Sequence, residues 1–517
     1  MGAARDSALQ AAATRVAALR TALAVRGPVR LVETHLSWVL LDAQHAYKLK
    51  KPLRLPFVDF SSLAARRAAC DEELRLNRRL APTLYLAVLE VRGGGAGAVF
   101  GGDGPLLDVA LQMRRFDDGA LWSERLAAGT LAPAHIDALA QRLAEFHRDA
   151  APAPPQSGHG TPAAIGRVTR RLIEAIDAWS ARSAAAPDWP ALRGWLEAQT
   201  AALAPRFEAR RAAGRVREGH GDLHLANLLQ LGDEATAFDG IEFDPALRWI
   251  DVMNDIAFVV MDLLAHGAPA FAWRFLDATL AAGGEHDGLP LLRYYLVGRA
   301  LVRAQVAAIA EAQGRPAAAG LATADYLALA ARLARGAEVR LAITHGLPGS
   351  GKSHLAQRLL EAAGAIRLRS DVERKRLAGL GALASSRAQG DIYDAASTAS
   401  TYARLLDLAR LALEAGWPVI VDAAFLRGAE RARFAELARS LGVPFTILDC
   451  RAPPGLLRER VRQRQARGGD ASEADVAVLE RLAALAEPLD ATEQAVAIGI
   501  DADSAADEVA RRWRRGR

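Results

Sequence analysis

The sequence predicts a chain of mixed α/β and α+β class, with an antiparallel, strand-rich start, a long helical middle and a parallel α/β sheet at the end. Three observations carry this. Residues 30–60 alternate as short strands, VRLVETH, SWVLLD and AYKLK. Helical patterning dominates from about 121 to 335. From Glu338 onward the rhythm is strand, helix, strand, helix, which marks a parallel sheet. A chain of 517 residues is too long for one ordinary core, and 51% hydrophobic residues excludes a disordered chain. The boundary is placed at about 336. It separates region 1–335, strand-rich at about 30–116 and helical at about 117–335, from region 336–517.

The elements follow in order. MGAARDSALQAAATRVAALR lacks the unbroken apolar run of a leader and reads as an amphipathic helix. A helix at about 61–80 has Ser61 or Ser62 as its cap. Strands resume at YLAVLEVR and LLDVALQMRRF, with the Gly-rich hairpin GGGAGAVFGGDG between them. APAPPQSGHGTP (151–162) is a loop by its Pro and Gly content. IAFVVMDLLAHG (256–267) is interrupted by Asp262 and reads as a buried helix; no run approaches the roughly 20 apolar residues of a membrane span. The second region runs VRLAITHG, KSHLAQRLLEAAG, AIRLRS, a long helix to Ala415, PVIVDAAF, a helix, PFTILDCR, more helix and AVAIGID.

Net charge is only +5 and there are two cysteines, Cys70 and Cys450, far apart. That spacing gives neither a disulfide framework nor a zinc site, so a cytoplasmic location is expected. The basic residues are almost all arginine: 65 in total, of which the lysines are Lys48, Lys50, Lys51, Lys352 and Lys375. Positions that keep lysine in such a chain need a compact point charge that a planar guanidinium does not supply.

GLPGSGKS (346–353) explains one of them. It fits G-x-x-x-x-G-K-[ST] between a predicted strand and a predicted helix. Gly346, Leu347, Pro348, Gly349, Ser350 and Gly351 curl the backbone so that its N–H groups face phosphates. Lys352 reaches the β- and γ-phosphates of ATP, and Ser353 is placed to ligate Mg²⁺. Asp422, ending VIVD, is the expected carboxylate partner of that Mg²⁺. Strand AIRLRS runs into D-V-E-R with Asp371 and Arg374. From here the region from about 338 to 517 resembles the small P-loop kinases related to polynucleotide kinase, zeta toxin and gluconate kinase. The resemblance implies Asp371 as the base for the acceptor hydroxyl and Arg374 as the substrate clamp; the alternative is a helix-capping Asp beside a solvated Arg. LLRERVRQRQARGGDASEAD (456–475) resembles the lid of these kinases, with Arg460 and Arg464 at i, i+4 set to close over phosphates. No aromatic residues interleave this basic run, so nucleic acid is the less favoured acceptor.

GHGDLHLANLL (219–229) holds His220, Asp222 and Asn227 in H-x-D-x-x-x-x-N, followed by TAFDGIEFD with Asp239. This pair of motifs resembles the aminoglycoside phosphotransferase and choline kinase branch of the bilobal protein-kinase-like fold. The resemblance implies Asp222 as base, Asn227 and Asp239 as Mg²⁺ ligands, His220 as loop support and Asp255 as a brace from a helix start. His220 and His224 also stand at metal-ligand spacing, but Gly221 replaces the glutamate of H-E-x-x-H and no third ligand is evident. A kinase-like fold needs a strand lysine held by a helix glutamate. Lys48 is favoured, with Lys50 on the same face as runner-up, Lys51 pointing away to solvent, and Glu73 or Glu72 as partner. The chain departs from the pattern twice. ETHLSWVLLDAQHA has no glycine where the phosphate-covering loop belongs, leaving Ser37 or backbone N–H groups to substitute, and Asp239 is followed by Gly240 rather than tryptophan. Glu242, Asp244 and Asp251 are candidates for an acidic acceptor pocket.

The expectation is an ATP- and Mg²⁺-dependent phosphotransferase with two nucleotide-binding domains. The acceptor is a small hydroxyl-bearing molecule: a sugar, an aminoglycoside-like compound or a nucleoside. The alternatives are a regulatory P-loop ATPase coupled to a pseudokinase-like domain, and a nucleic-acid-end kinase.

Overall fold

The computed structural model describes residues 2–515 except 56–57, 95–96, 184–187, 315–319, 386–391, 393, 468–470, 502–503 and 505. The chain forms two compact units, Met1–Ala164 with Glu208–Phe258, and Ile165–Phe207 with Val259–Arg517.

The first unit opens with helix α1 (Gly2–Ala24) and strands β1 (Arg30–Glu33), β2 (Ser37–Leu41) and β3 (His45–Lys50). Helix α2 (Leu63–Asn77) follows; Ser62 caps it by accepting from Ala65 N at 3.1 Å, as expected of a serine there. Strands β4 (Tyr85–Gly94), β5 (Gly97–Phe100) and β6 (Leu106–Arg114) complete a six-stranded sheet in the order β1-β2-β3-β6-β4-β5. The Gly-rich stretch thus contributes a strand of its own, β5, paired to β4; its residues 95–96 lie outside the described set. Ala12, Val16 and Leu19 of α1 pack with Trp38, Leu40 and Leu49, so the N-terminal helix covers an apolar face of this sheet. Later come α3 (Pro133–Asp149) and the short strands β7 (Val216–Glu218), β8 (Leu228–Leu231), β9 (Glu234–Ala237) and β10 (Trp249–Asp251). The β8–β9 hairpin carries Asn227 at its entry and leads to Asp239 at its exit.

Helix α4 (Val252–Ala265) begins in the first unit and ends in the second, which continues with α5 (Pro269–Gly283) and α6 (Leu289–Ala312). Strand β11 (Leu341–His345), α7 (Lys352–Ala363), β12 (Ile366–Arg369), α8 (Ser370–Leu377), α9 (Ala395–Glu414), β13 (Val419–Asp422), β14 (Phe445–Cys450), α10 (Pro454–Arg467) and β15 (Ala497–Ile500) follow. The five strands pair in parallel in the order β12-β13-β11-β14-β15. Ala342, Leu359, Ile420, Leu448 and Trp513 form the core between this sheet and its helices. The long helix expected up to Ala415 is two helices. After α8 the chain turns through Gly379 at φ +73, and α9 restarts behind Asp394, whose carboxylate accepts from Ser397 N. Residues 386–391 and 393 of that stretch lie outside the described set. Among the described residues, no helix is long and apolar enough to cross a membrane.

Candidate functional site

In the first unit, pairing of β3 with β2 and β6 sends the side chains of Lys48 and Lys50 to one face, where α2 presents Glu73, fully buried. Lys48 Nζ lies 2.8 Å from Glu73 Oε1 and Lys50 Nζ lies 2.7 Å from Glu73 Oε2, so the two lysines share one carboxylate. Lys48 also bonds Asp239 Oδ1 at 2.6 Å, and Lys50 bonds Glu242. Burial alone would lower the pKa of Lys48, but the carboxylates of Asp239, Glu73 and Glu242 outweigh it and hold the ammonium charged. Burial works to raise the pKa of Glu73, yet the two lysines pull it down to about 2. Glu72 turns instead to Arg75 and Arg248.

The residues of the H-x-D-x-x-x-x-N loop converge beside this cluster. Asp255 at the start of α4 accepts from His220 N at 2.8 Å and Gly221 N at 2.9 Å, and contacts His147 Nε2 at 3.2 Å. These donors, against the opposing effect of burial, bring its pKa down to about 2. Asp222 N donates to His220 Nδ1, and His220 Nε2 faces the Phe238 carbonyl at 3.0 Å, which requires the neutral Nε2–H tautomer. Burial lowers the pKa of His220, in keeping with that neutral form. Asn227 Nδ2 donates to the Asp222 carbonyl and to Asp222 Oδ2 at 2.9 and 3.0 Å. Phe238 N donates to the Asn227 carbonyl, which sets Asp239 next to Asn227. Asp239 has φ +62, a left-handed conformation for a non-glycine residue, and its N–H is held by the Tyr85 hydroxyl. A Cβ at Gly240 would lie 3.3 Å from the His220 ring, a close approach that a larger residue meets only if the ring shifts by a few tenths of an ångström. The oxygens of Asp239 and Asn227 are hard donors of the kind Mg²⁺ takes, and Asp239 already holds a cation, the Lys48 ammonium.

Several expectations are corrected here. Lys51 is buried, not solvent-exposed: its ammonium bonds Glu33 Oε1 at 2.6 Å and the Thr34 carbonyl at 2.7 Å, and lies 5.3 Å from the Trp38 ring centroid. The chain leaves β3 at Lys51, where Lys51 N bonds the Leu36 carbonyl, and this exit breaks the strand alternation. Lys51 thereby pins the β1–β2 turn, where a phosphate-covering loop would be. Ser37 is 2% exposed and cannot present its hydroxyl to a phosphate. Nor do Glu242, Asp244 and Asp251 line an acidic pocket. Glu242 is spent on Lys50, Asp251 on Arg210, and Asp244 caps a helix through Ala246 N. His224 Nε2 faces Asp222 Oδ2 at 3.4 Å.

In the second unit, the phosphate-binding loop joins β11 to α7. Gly346 (φ +136) passes so close to β14 that a Cβ would fall 2.4 Å from the Cys450 carbonyl. Lys352 Nζ bonds the Leu347 carbonyl at 2.9 Å; burial lowers its pKa, and the Coulomb pull of Asp422 and Asp371 only partly compensates. Ser353 Oγ donates to Asp422 Oδ1 at 3.1 Å. Asp422 Oδ2 is buried with no hydrogen-bond partner among the described residues, and Arg369 Nε stands 3.6 Å from it. Asp371 lies in the first turn of α8; Arg369 is the N-cap position and makes no side-chain cap, so Asp371 is not the cap. Arg374 is buried and donates to the Ile392 carbonyl and Thr398 Oγ1, tying α8 to α9. In α10, Arg460 donates to the Gly349 carbonyl at 3.3 Å, whereas Arg464 turns to the Ala474 carbonyl. Lid residues 468–470 lie outside the described set. The oxygens of Ser353 and Asp422 are hard donors of the kind Mg²⁺ takes.

Sequence reasoning gave Glu242 another role, as part of an acidic pocket rather than as a partner of Lys50, and missed Arg369 and Asp277, a residue of α5 that pairs with Arg367. The signals were present in outline: Glu242 lies on the Asp239 loop, and Arg367 and Arg369 alternate on a predicted strand with Leu368.

Residues 341–489 match the AAA domain family model. The chain is 30% identical to protein Rv2004c of Mycobacterium tuberculosis over 459 residues, covering 87% of this chain and 89% of the relative. It is similar in structure to choline kinase from Cryptosporidium parvum (11% identity, 59% of this chain, 87% of that one, TM-score 0.38). It is also similar to a gluconokinase from Sinorhizobium meliloti (19% identity, 35% of this chain, 92% of that one, TM-score 0.25). The parallel sheet and GLPGSGKS loop of the second unit fit that AAA domain model. The chain belongs to the family of the mycobacterial protein Rv2004c.

Proposed function

We propose that this protein transfers the γ-phosphoryl group of ATP to the hydroxyl of a small molecule, with the P-loop domain as the principal centre. The observation that carries this reading is the set of unspent groups at one end of the parallel sheet. Among the described residues Lys352 bonds only a backbone carbonyl, and Asp422 Oδ2 accepts no hydrogen bond, with Arg369 Nε 3.6 Å away. The Asp371 side chain has no hydrogen bond among the described residues and acts on Lys352 through space. In the reaction, Asp371 accepts the proton of the acceptor hydroxyl. The hydroxyl oxygen bonds to the γ-phosphorus as its bond to the β–γ bridging oxygen breaks, and ADP leaves. Lys352 and the loop N–H groups hold the phosphates, and Arg460, next to Gly349, is placed to neutralise charge that develops during transfer. Ser353 and Asp422 would hold Mg²⁺, which supplies charge neutralisation of the phosphates. Arg374 acts indirectly, by fixing α8 against α9.

In the first unit the same reading assigns Asp222 as base, Asn227 and Asp239 as the residues for Mg²⁺, and Lys48 with Glu73 as the phosphate anchor. A second reading, nucleotide binding without transfer, is favoured there by one observation: Lys48 rests on Asp239 under a turn pinned by Lys51. The test is a transfer screen with labelled ATP over sugars, aminoglycosides, nucleosides and 5′-hydroxyl oligonucleotides, run on wild type and on separate Asp371→Asn and Asp222→Asn variants. Label reaching a small-molecule hydroxyl and lost only with Asp371→Asn supports the P-loop assignment. Label reaching only oligonucleotide ends would replace the acceptor class, and ATP hydrolysis with no acceptor would leave the regulatory reading.

A further inference from the structure

The P-loop kinase borrows part of its framework from a helix that precedes it in the chain by some seventy residues: α5 carries Asp277 and β11 begins at Leu341. Asp277 and Arg367 of β12 form a buried bidentate pair, Nε to Oδ1 at 3.1 Å and Nη2 to Oδ2 at 2.6 Å. The remaining terminal nitrogen of the same guanidinium, Nη1, donates to the carbonyl of Ser353 at 3.2 Å. The fork of Arg367 thus has Asp277 on one side and the first turn of α7 on the other. The last turn of α5 also reaches the acceptor side of the site. Its Leu280 and Ala281 carbonyls accept from Arg376 of α8, at 3.2 and 2.7 Å, and α8 is the helix that bears Asp371. Between these points Arg274 pairs with Glu361 of α7 at 3.0 Å, and Trp273 lies against Gly364, where a Cβ would fall 2.8 Å from its ring.

We propose that Asp277 and Arg367 are positioning residues for the P-loop site, and that α5 acts as its base plate, fixing Ser353 on the nucleotide side and α8 on the acceptor side. The proposal rests on reading the P-loop as a Mg-ATP site. The physical case lies in the cost of the pair. Burying a full carboxylate–guanidinium pair is no cheaper than apolar packing of the same volume, so its presence calls for a role beyond stability. A rigid fork of donors holds a backbone carbonyl in a fixed direction as a lysine would not. Ser353's carbonyl and its hydroxyl belong to one residue, so what holds the first directs the second towards Asp422.

The test is calorimetry of ATP binding to the full chain, with Mg²⁺ and with EDTA, on wild type, Asp277→Asn, Asp277→Glu and Lys352→Ala. The class of site that Lys352→Ala removes identifies the P-loop. At that class, Asp277→Asn is expected to weaken Mg-ATP about tenfold while changing ATP in EDTA less than about twofold, and Asp277→Glu to recover part of the loss. A purely structural residue would move the melting temperature and both affinities together, which overturns the proposal, as does unchanged Mg-ATP affinity in a folded Asp277→Asn. Should Asp277→Asn fail to fold, hydrogen exchange on the wild type decides. Mg-ATP is expected to slow exchange in the last turn of α5 in wild type and not in Lys352→Ala, and equal exchange in both overturns the base plate. A Lys352→Ala chain that keeps every ATP site would instead sink the P-loop reading beneath it.

Discussion

The two nucleotide-site candidates use lysine in opposite electrostatic states. In the first unit Lys48 and Lys50 are already neutralised by Glu73, Asp239 and Glu242, and the pKa of Lys48 is raised. In the second unit Lys352 has only a carbonyl partner among the described residues, and its pKa is lowered by burial. A cluster that satisfies itself is stable without ligand and must be opened for phosphate to enter. A buried cation with no direct counter-charge gains most when phosphate arrives. The difference separates a site closed on itself from one that is prepared for an anion.

The sharpest way to break this comparison is through chemistry. Asp371→Asn should leave ATP affinity nearly unchanged while transfer falls about 10²–10⁴-fold, the range for loss of a general base. Equal transfer of labelled phosphoryl from ATP to the acceptor would remove Asp371 from the reaction and with it the contrast. Next in size is Lys50→Met, which strands Glu242 and half of Glu73 in the interior. Chemical denaturation should register a loss of about 3–5 kcal/mol, as for breaking a buried pair from one side. A loss under about 1 kcal/mol would mean that the cluster is not self-neutralised as described.

Acid should separate the regions in the same sense. The folded pKa of Glu73 is about 2 against 4.5 for the free side chain, so its ionised form stabilises the fold above about pH 4.5, and that contribution is lost as pH falls from there towards 2. Asp255 acts in the same direction, from 3.8 towards about 2. Glu242, raised by burial, opposes them and loses its contribution as pH rises. Probes in the first unit, such as exchange of the His220 and Gly221 amides that Asp255 holds, should therefore lose protection in acid, and Glu73→Gln should reduce that loss only by the share Glu73 contributes. The smallest effect expected is at Lys51. Arginine there must refit the Glu33 and Thr34 contacts over Trp38, costing about 1 kcal/mol by thermal melt with ATP binding at the P-loop unchanged. A silent Lys51→Arg would show that the β1–β2 turn is not pinned.

How much was legible in the sequence differs between the same two regions. GLPGSGKS lies in one contiguous turn, so local chain geometry places Gly346, Lys352 and Ser353 together whatever surrounds them. Strand alternation likewise put Lys48 and Lys50 on one face, while the choice of the helix at 61–80 for their partner came from the resemblance to kinases. The fate of Lys51 was not legible, because it lies one residue past the strand, where the chain turns and periodicity no longer applies. Ser37 was misread for a related reason: alternation gives the face of a side chain but not what covers that face.

The sequence by itself determined the two motif sets, the order of strand-rich, helical and parallel-sheet segments, the serine pair 61–62 from which the cap is drawn, and the glycine turn of the P-loop. All of these are set by contacts within a few residues or by period. Only the tertiary structure decided which carboxylates are consumed by cations and which remain for ligand. Glu242 and Asp251 read as free acids in the sequence, and each is bound to a cation brought from elsewhere in the chain, Lys50 and Arg210. The pairing of Arg367 with Asp277 joins residues 90 positions apart, and nothing in either local segment announces the other. Charge pairing depends on distance in space, which sequence spacing does not encode once the chain leaves a single helix or strand.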